Sequence, residues 1–268
     1  MAAVHPTSIV ERGAELGEDV SIGAYCTIGP DVELGDGVAV AAHVAIAGRT
    51  RIGARTRIHP FASLGQPPQH FGYKGEATLL SIGTDNIIRE HVTMNTGTAA
   101  GGGETRIGNH GFFMVGIHVA HDCRIGDRVI MANNATLGGH VTIGDDVVIG
   151  GLSAVHQFVR IGRQAMIGGM SGIVQDVVPF ALAVGSRARL VGLNVVGLRR
   201  RGMAADDIRR LRTAYGQLFD GPGCLSQRID AVAAGAADSG PVMELLEFIR
   251  GPSKRGLLHP RRRDGADG

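Results

Sequence analysis

Ile125-Gly126-Asp127-Arg128-Val129-Ile130-Met131-Ala132-Asn133-Asn134-Ala135-Thr136-Leu137-Gly138-Gly139-His140-Val141-Thr142-Ile143-Gly144-Asp145-Asp146-Val147-Val148-Ile149 decides the fold. An aliphatic side chain falls at every sixth place: Ile125, Met131, Leu137, Ile143, Ile149. The run extends back through Val119 and Phe113 to Ile107, and on through Val155, Ile161 and Ile167 to Ile173. It returns at Ile82, Ile88 and Met94 and, before them, from Val4 through Val10, Leu16, Ile22 and Ile28 to Leu64. A small residue follows in most hexads, as at Gly17, Gly23, Gly29, Gly35, Ala41 and Ala47. The fifth place is small or β-branched, as at Ala14, Val20, Cys26, Val32 and Thr50. A period of six fits neither a helix nor a free strand. It fits a parallel β-helix in which the aliphatic residue fills the interior and three hexads close one triangular coil.

Composition agrees. Of 268 residues 42 are Gly and none is Trp, and Gly-X-Y periodicity is missing, so collagen is excluded. A net charge of +2 argues against a nucleic-acid partner. Cys26, Cys123 and Cys224 show neither metal-ligand spacing nor an even framework, which points to a reducing cytoplasm. No leader peptide and no stretch long enough to span a membrane is visible.

The domain layout expected is a β-helix over 1–190 and an α-helical C-terminal domain over 191–268. Two insertions, about 66–80 and 99–105, interrupt the repeat, and such breaks favour binding residues. Residues 203–219 predict an amphipathic helix through Ile208, Leu211, Tyr215 and Leu218. Residues 225–234 and 242–250 predict two more helices. The charged tail 261–268 predicts disorder.

In a coil of 18 residues, positions 18 apart stack at about the 4.8 Å spacing of neighbouring strands. Stacking places Gly139 over His121, His140 over Asp122, Gln157 over Gly139 and His156 over Gly138, with His118 close by. A neutral His can remove the proton of an attacking hydroxyl, and a bare Gly N–H can stabilise the oxyanion that follows. This makes His121 the candidate base, Asp122 its orienting partner and Gly139 the oxyanion donor. Cys123, at an inward fifth place, is a poor nucleophile. His43, His59 and His91 read as surface residues, Asn133 and Asn134 as turn formers, and Gly101-Gly102-Gly103 as a loop. Arg199-Arg200-Arg201 reads either as a solvated helix entrance or as an anion site.

The segments His118-Val119-Ala120-His121-Asp122-Cys123, Ala132-Asn133-Asn134-Ala135-Thr136-Leu137, Ala154-Val155-His156-Gln157-Phe158 and Gly197-Leu198-Arg199-Arg200-Arg201-Gly202 carry a resemblance. The chain resembles the UDP-N-acetylglucosamine O-acyltransferases that open lipid A synthesis. The resemblance implies a left-handed β-helix, contrary to the usual right-handed crossover, and a homotrimer with active sites between subunits. It implies acyl-phosphopantetheine on acyl carrier protein as donor, with no further cofactor and no metal, and a UDP-sugar as acceptor. By position it implies His121 as base with Asp122, Gly139 as oxyanion donor, and His118, His140, His156 and Gln157 lining the cleft. Gln69 corresponds to a sugar contact, and Asn194, Arg200 and Arg201 to nucleotide contacts. Gly169 and Met170 fall along the acyl groove.

The chain departs from the family where Gln69-His70-Phe71-Gly72-Tyr73 replaces a common Gln-Asp-Leu-Lys-Tyr, with Lys74 offering a nearby lysine. Val196 stands where a Glu is frequent. Four other readings stay open. They are an amine acceptor, whose enzymes usually carry a preceding domain that a repeat beginning by Val4 leaves no room for; a zinc-dependent hydratase built on His118, His121 and His140; a non-catalytic scaffold; and an acetyl-CoA-dependent transferase.

Overall fold

A computed structural model describes residues 2–235 and 239–260, so the charged tail lies outside the described residues. Short strands, mostly of two residues, assemble into three sheets of 11, 9 and 8 strands, one on each face of a triangular prism. Pairing within the coils is parallel, and the register steps by one coil at a time, as in His118 opposite Thr136 and Leu137 opposite Val155. The fold is a left-handed parallel β-helix. Its core is the hexad column itself: Ile28, Leu64, Ile88, Val119, Leu137, Ile149 and Ile173 are all fully buried. Each such side chain contributes about 1.5–3 kcal/mol of burial, but only once a neighbouring coil covers it.

The corners explain how the chain turns every six residues. At the second turn position the backbone is left-handed, and mostly not at Gly: Tyr25, His43, Phe61, Asp122, Asn134, His140 and Phe158 have φ between 58° and 67°. Such a residue costs about 1–2 kcal/mol. The N–H it turns outward is recovered by the coil below, as in His140 N–H to His121 O at 2.9 Å and Asn134 N–H to Val115 O at 2.9 Å. Asn134 is thus the turn former that its type predicts.

Both insertions leave the prism at one corner, between the second and third sheets. One loop lies between the strands Ser63–Gln66 and Leu79–Ile82, the other between Thr93–Asn95 and Glu104–Ile107. Register partners Ser63 and Thr93 are consequently 30 residues apart and Thr93 and His118 are 25 apart, against 18 in uninterrupted coils such as His118 to Thr136. The second loop contains a short 3-10 turn, Ala99–Gly101, capped by Thr98.

Beyond Ile173 an antiparallel pair, Ala181–Val184 with Arg189–Leu193, closes the end of the first sheet. Among the described residues four helices follow: α1 (Val195–Arg200), α2 (Ala205–Asp220), α3 (Leu225–Gly235) and α4 (Gly240–Arg250). The last three correspond to the helices expected from periodicity. The first was not expected, because six residues are too few to show a period. Arg199-Arg200-Arg201 therefore ends α1 instead of opening the long helix, a correction to the helix-entrance reading. The chain then returns to the prism. Leu258 is buried, Asp176 N–H donates to Gly256 O and Leu258 N–H to Asp176 O, both at 2.8 Å. Ion pairs Arg160–Asp176 and Arg163–Glu244, each 2.7 Å, tie the last coils to this segment and to α4. Among the described residues no helix is long and apolar enough to cross a membrane.

Candidate active site

The corner that expels both insertions also carries His121, Asp122, Gly139, His140, Gln157 and Phe158. Consecutive residues of a strand face opposite ways, which would separate His121 from Asp122. The turn removes that obstacle: Asp122 has φ 60°, and its Oδ2 accepts from His121 Nδ1 at 2.7 Å. The second insertion supplies the rest of the carboxylate's shell, Thr98 N–H to Oδ1 at 2.8 Å and Thr98 Oγ1–H to Oδ2 at 2.7 Å. Thr105 Oγ1 accepts from Asp122 N–H at 2.8 Å. The Asp122 side chain is fully buried and that of His121 keeps 11% of its surface. Burial alone would raise the Asp122 carboxyl. The Thr98 and His121 hydrogen bonds and the nearby His140 outweigh it and hold the group below the ordinary carboxylate range. An ionised carboxylate only accepts, so the hydrogen bond fixes a proton on His121 Nδ1, and in the neutral ring the lone pair is then on Nε2.

Gly139 lies directly against that nitrogen. A Cβ there would come within 2.5 Å of His121 Cε1 and 2.7 Å of Nε2, so only Gly leaves room for the ring. Its neighbours donate to the next coils, Gly138 N–H to Val155 O and His140 N–H to His121 O. Gly139 N–H donates to no atom among the described residues. An open donor beside an imidazole whose Nδ1 is held by a carboxylate is what a base and an oxyanion site require.

Around this pair, His118 Nδ1 lies 2.8 Å from Thr93 Oγ1, and burial with the adjacent His121 holds it below its ordinary value. His140 sits edge-on to His121, ring centres 5.2 Å apart, with Nε2 3.6 Å from Asp122 Oδ2. Burial lowers its pKa, the Asp122 charge opposing and His121, Lys254 and His70 adding to the fall. His156 and Gln157 are exposed one coil on, with His156 Nδ1 3.3 Å from the Gln157 carbonyl. Gln69 is exposed in the first insertion. Cys123 points inward, gives its S–H to Gly138 O at 3.2 Å, and burial pushes its thiol up to about 12.

The nucleotide candidates are not brought to this corner. Asn194 caps α1, accepting from Gly197 N–H at 3.1 Å and donating to Gln164 O at 3.0 Å. Arg201 Nε pairs with Asp146 at 3.3 Å on the next corner of the prism, and Arg200 is exposed beside it.

With this geometry in view the relatives are informative. Residues 176–258 match the family model for domain 2 of UDP N-acetylglucosamine O-acyltransferase, and residues 13–48 match the bacterial transferase hexapeptide repeat. An acyl-[acyl-carrier-protein]–UDP-N-acetylglucosamine O-acyltransferase of Azorhizobium caulinodans is 55% identical over 262 residues, 98% of this chain and 97% of the relative. The chain belongs to this family. Its counterpart in Caulobacter vibrioides is 60% identical over 76% of this chain and 78% of its own. The solved UDP-N-acetylglucosamine acyltransferase of Campylobacter jejuni superposes with a TM-score of 0.91 at 41% identity, covering 96% of this chain and 100% of its own.

Several site residues escape a reading by spacing. His70 stands edge-on to His121, ring centres 5.2 Å apart, brought there by the first insertion. Thr98 holds Asp122 from the second, and Thr105 from the strand that follows it. Phe158 stacks on His140 at 4.5 Å, and Lys254 lies over its other side at 4.3 Å. Insertions and returning tails have no period, so no sequence arithmetic places them. Phe158 alone had a signal, since it stacks 18 after His140.

Proposed function

We propose that this protein transfers a 3-hydroxyacyl group from acyl carrier protein to the 3-hydroxyl of UDP-N-acetylglucosamine, the first step of lipid A synthesis. The observation that carries the mechanism is the His121–Asp122 pair, 2.7 Å apart, with the His121 ring against the side-chain-free face of Gly139, whose N–H has no partner among the described residues. His121 Nε2 takes the proton of the sugar hydroxyl, and the oxygen attacks the thioester carbonyl. Gly139 N–H holds the oxyanion, the C–S bond breaks, and the proton passes from His121 to the leaving thiolate. Asp122 fixes the tautomer and stabilises the imidazolium formed between the two steps. His118, His140, His156, Gln157 and Gln69 line the cleft. The donor's phosphopantetheine is the only prosthetic group involved.

The working unit is a homotrimer with sites between subunits. Two features support this. Asn194, Arg200 and Arg201, the nucleotide candidates, lie one corner away from His121 in the same chain. Phe71 in the first insertion is fully exposed and Met170 largely so, beyond what a lone subunit needs. Three unpaired cysteines fit a cytoplasmic enzyme.

The deciding experiment is turnover of purified protein with 3-hydroxyacyl carrier protein and UDP-N-acetylglucosamine, run beside its 3-amino analogue. Ester product is expected; acylation of the amine alone would overturn the hydroxyl assignment. A second reading has one observation behind it, since His121, Asp122 and His140 stand close enough to gather a metal ion. Against it, three hydrogen bonds already occupy the Asp122 carboxylate. Stoichiometric zinc in active protein, lost together with activity on chelation, would favour the metal reading.

A further inference from the structure

The edge that begins at His70 and His121 does not end at His140. It continues through Phe158, stacked on His140 with 14° between ring planes, to two cations of the returning segment. Lys254 Nζ lies 4.3 Å over the Phe158 ring, and Arg255 Cζ lies 5.9 Å from it. Arg255 Nε donates to the Gln157 carbonyl at 2.8 Å, leaving its two terminal NH2 groups with no partner among the described residues. Neither cation has a carboxylate partner there. The carboxylates along this edge are committed, Asp122 to Thr98 and His121, and Asp176 to Arg160 at 2.7 Å. Lys74, the other lysine at this corner, faces Glu76, whose Oε2 accepts from Lys74 N–H at 2.9 Å.

The turn that carries the two cations is held in place, and the Arg255 side chain is anchored on Gln157. Ser253 Oγ accepts from Arg255 N–H at 3.2 Å and Gly256 N–H at 2.9 Å, making a tight turn. Gly256 and Leu258 on its far side are hydrogen-bonded to Asp176. A pre-ordered guanidinium with a free fork, beside an ammonium, is suited to phosphate oxygens.

We propose that Lys254 and Arg255 form an anion subsite, shaped by Phe158 and Gln157, that takes the diphosphate of the nucleotide sugar. The proposal rests on the acyltransferase reading above and adds to it. Its physical basis is reach. Phe158 lies two coils beyond Asp122, about 10 Å at strand spacing. A sugar whose 3-hydroxyl meets His121 extends its C1 diphosphate over a distance of that order. The phosphate of the donor arm lies a whole pantetheine chain from the thioester and is too far away. Arg200, and Arg201 held by Asp146, on another corner then serve the nucleoside end.

The test compares binding of UDP and of uridine to the full-length protein by calorimetry, since the diphosphate is the only difference between them. In K254Q/R255Q the affinity for UDP should fall about tenfold or more, as for lost charge-assisted bonds, while that for uridine holds. The Michaelis constant for UDP-N-acetylglucosamine should rise in parallel, and that for acyl carrier protein should not. K254Q alone, which keeps the Arg255 anchor on Gln157, should show part of the effect, and R255K should restore part of the affinity that R255Q loses. A rise confined to the donor's Michaelis constant would move the subsite to the donor phosphate and overturn the proposal, as would equal UDP affinities in variant and parent. If the parent protein binds neither UDP nor uridine, the nucleotide-sugar reading itself fails.

Discussion

Two corners of this prism carry columns of rings about 5 Å apart, yet they do different things. On one, Tyr25, His43, Phe61 and His91 stack face to face at 5.0, 5.1 and 5.2 Å, with planes within 17° of parallel. On the other, His121 and His140 meet edge-on at 89°, and only His140 and Phe158 are stacked. The first arrangement lies at a corner from which no insertion departs, and there rings pair with rings, Phe61 with His91 across the coil that the first insertion lengthens. The second arises where the repeat is broken. Thr98 and Thr105 pull Asp122 inward, Asp122 turns His121 by its Nδ1, and His70 and Lys254 arrive from outside the coil. The coil thus supplies a scaffold of corners, and its interruptions turn one of them into a site.

The sharpest way to break the comparison is to return the second corner to the state of the first. His121→Ala should cost about 10³-fold or more in kcat, the upper part of the range for a lost base. Thr98→Val keeps shape but strips one donor from Asp122, and should cost about tenfold while leaving the assembly intact. Turnover under saturating substrates, with molecular mass checked by sedimentation, measures both. Thr98→Val at parent activity would show that the insertion does not set the dyad.

The same contrast explains what was legible beforehand. The β-helix, its core and the 18-residue stacking of His121, Asp122, Gly139 and His140 follow from period alone, because a register once begun has no freedom to drift. The turn at Asp122, which lets adjacent residues share one site, follows from the corner that the period implies. His70, Thr98, Lys254 and Arg255 were invisible because their positions depend on how aperiodic segments fold back. Asn194 is a different case. Motif similarity makes it a nucleotide contact, and its amide also caps α1 through Oδ1 and ties that helix to the last coils through Gln164 O.

A smaller effect concerns pH. Burial holds His118 and His140 below their ordinary values, so folded they bind protons less readily than unfolded. As pH falls below about 6.5, the unfolded chain takes up protons the folded chain refuses, and stability declines until the lowered folded values are passed. Denaturant midpoints between pH 8 and 5 should therefore fall toward acid, and His140→Asn should flatten the decline. An unchanged slope in that variant would leave His140 without a part in it.

The smallest effect lies in the first corner and separates two contributions that the fold combines. Phe61 stacks on two rings and also holds φ at 65°, where a side chain is strained. The residue is 52% exposed, so removing its ring should cost about 1 kcal/mol at most, toward the lower end for aromatic pairs. Phe61→Ala loses the stack but keeps the strain, whereas Phe61→Gly loses both, and relief of a left-handed residue is worth about 1 kcal/mol. Phe61→Gly should therefore melt at or above Phe61→Ala, by about 2 °C, with kcat unchanged in both. Were the alanine variant the more stable, the corner's left-handed turn would carry no strain. The rings of the Tyr25 column would then be a choice of the repeat and not its compensation.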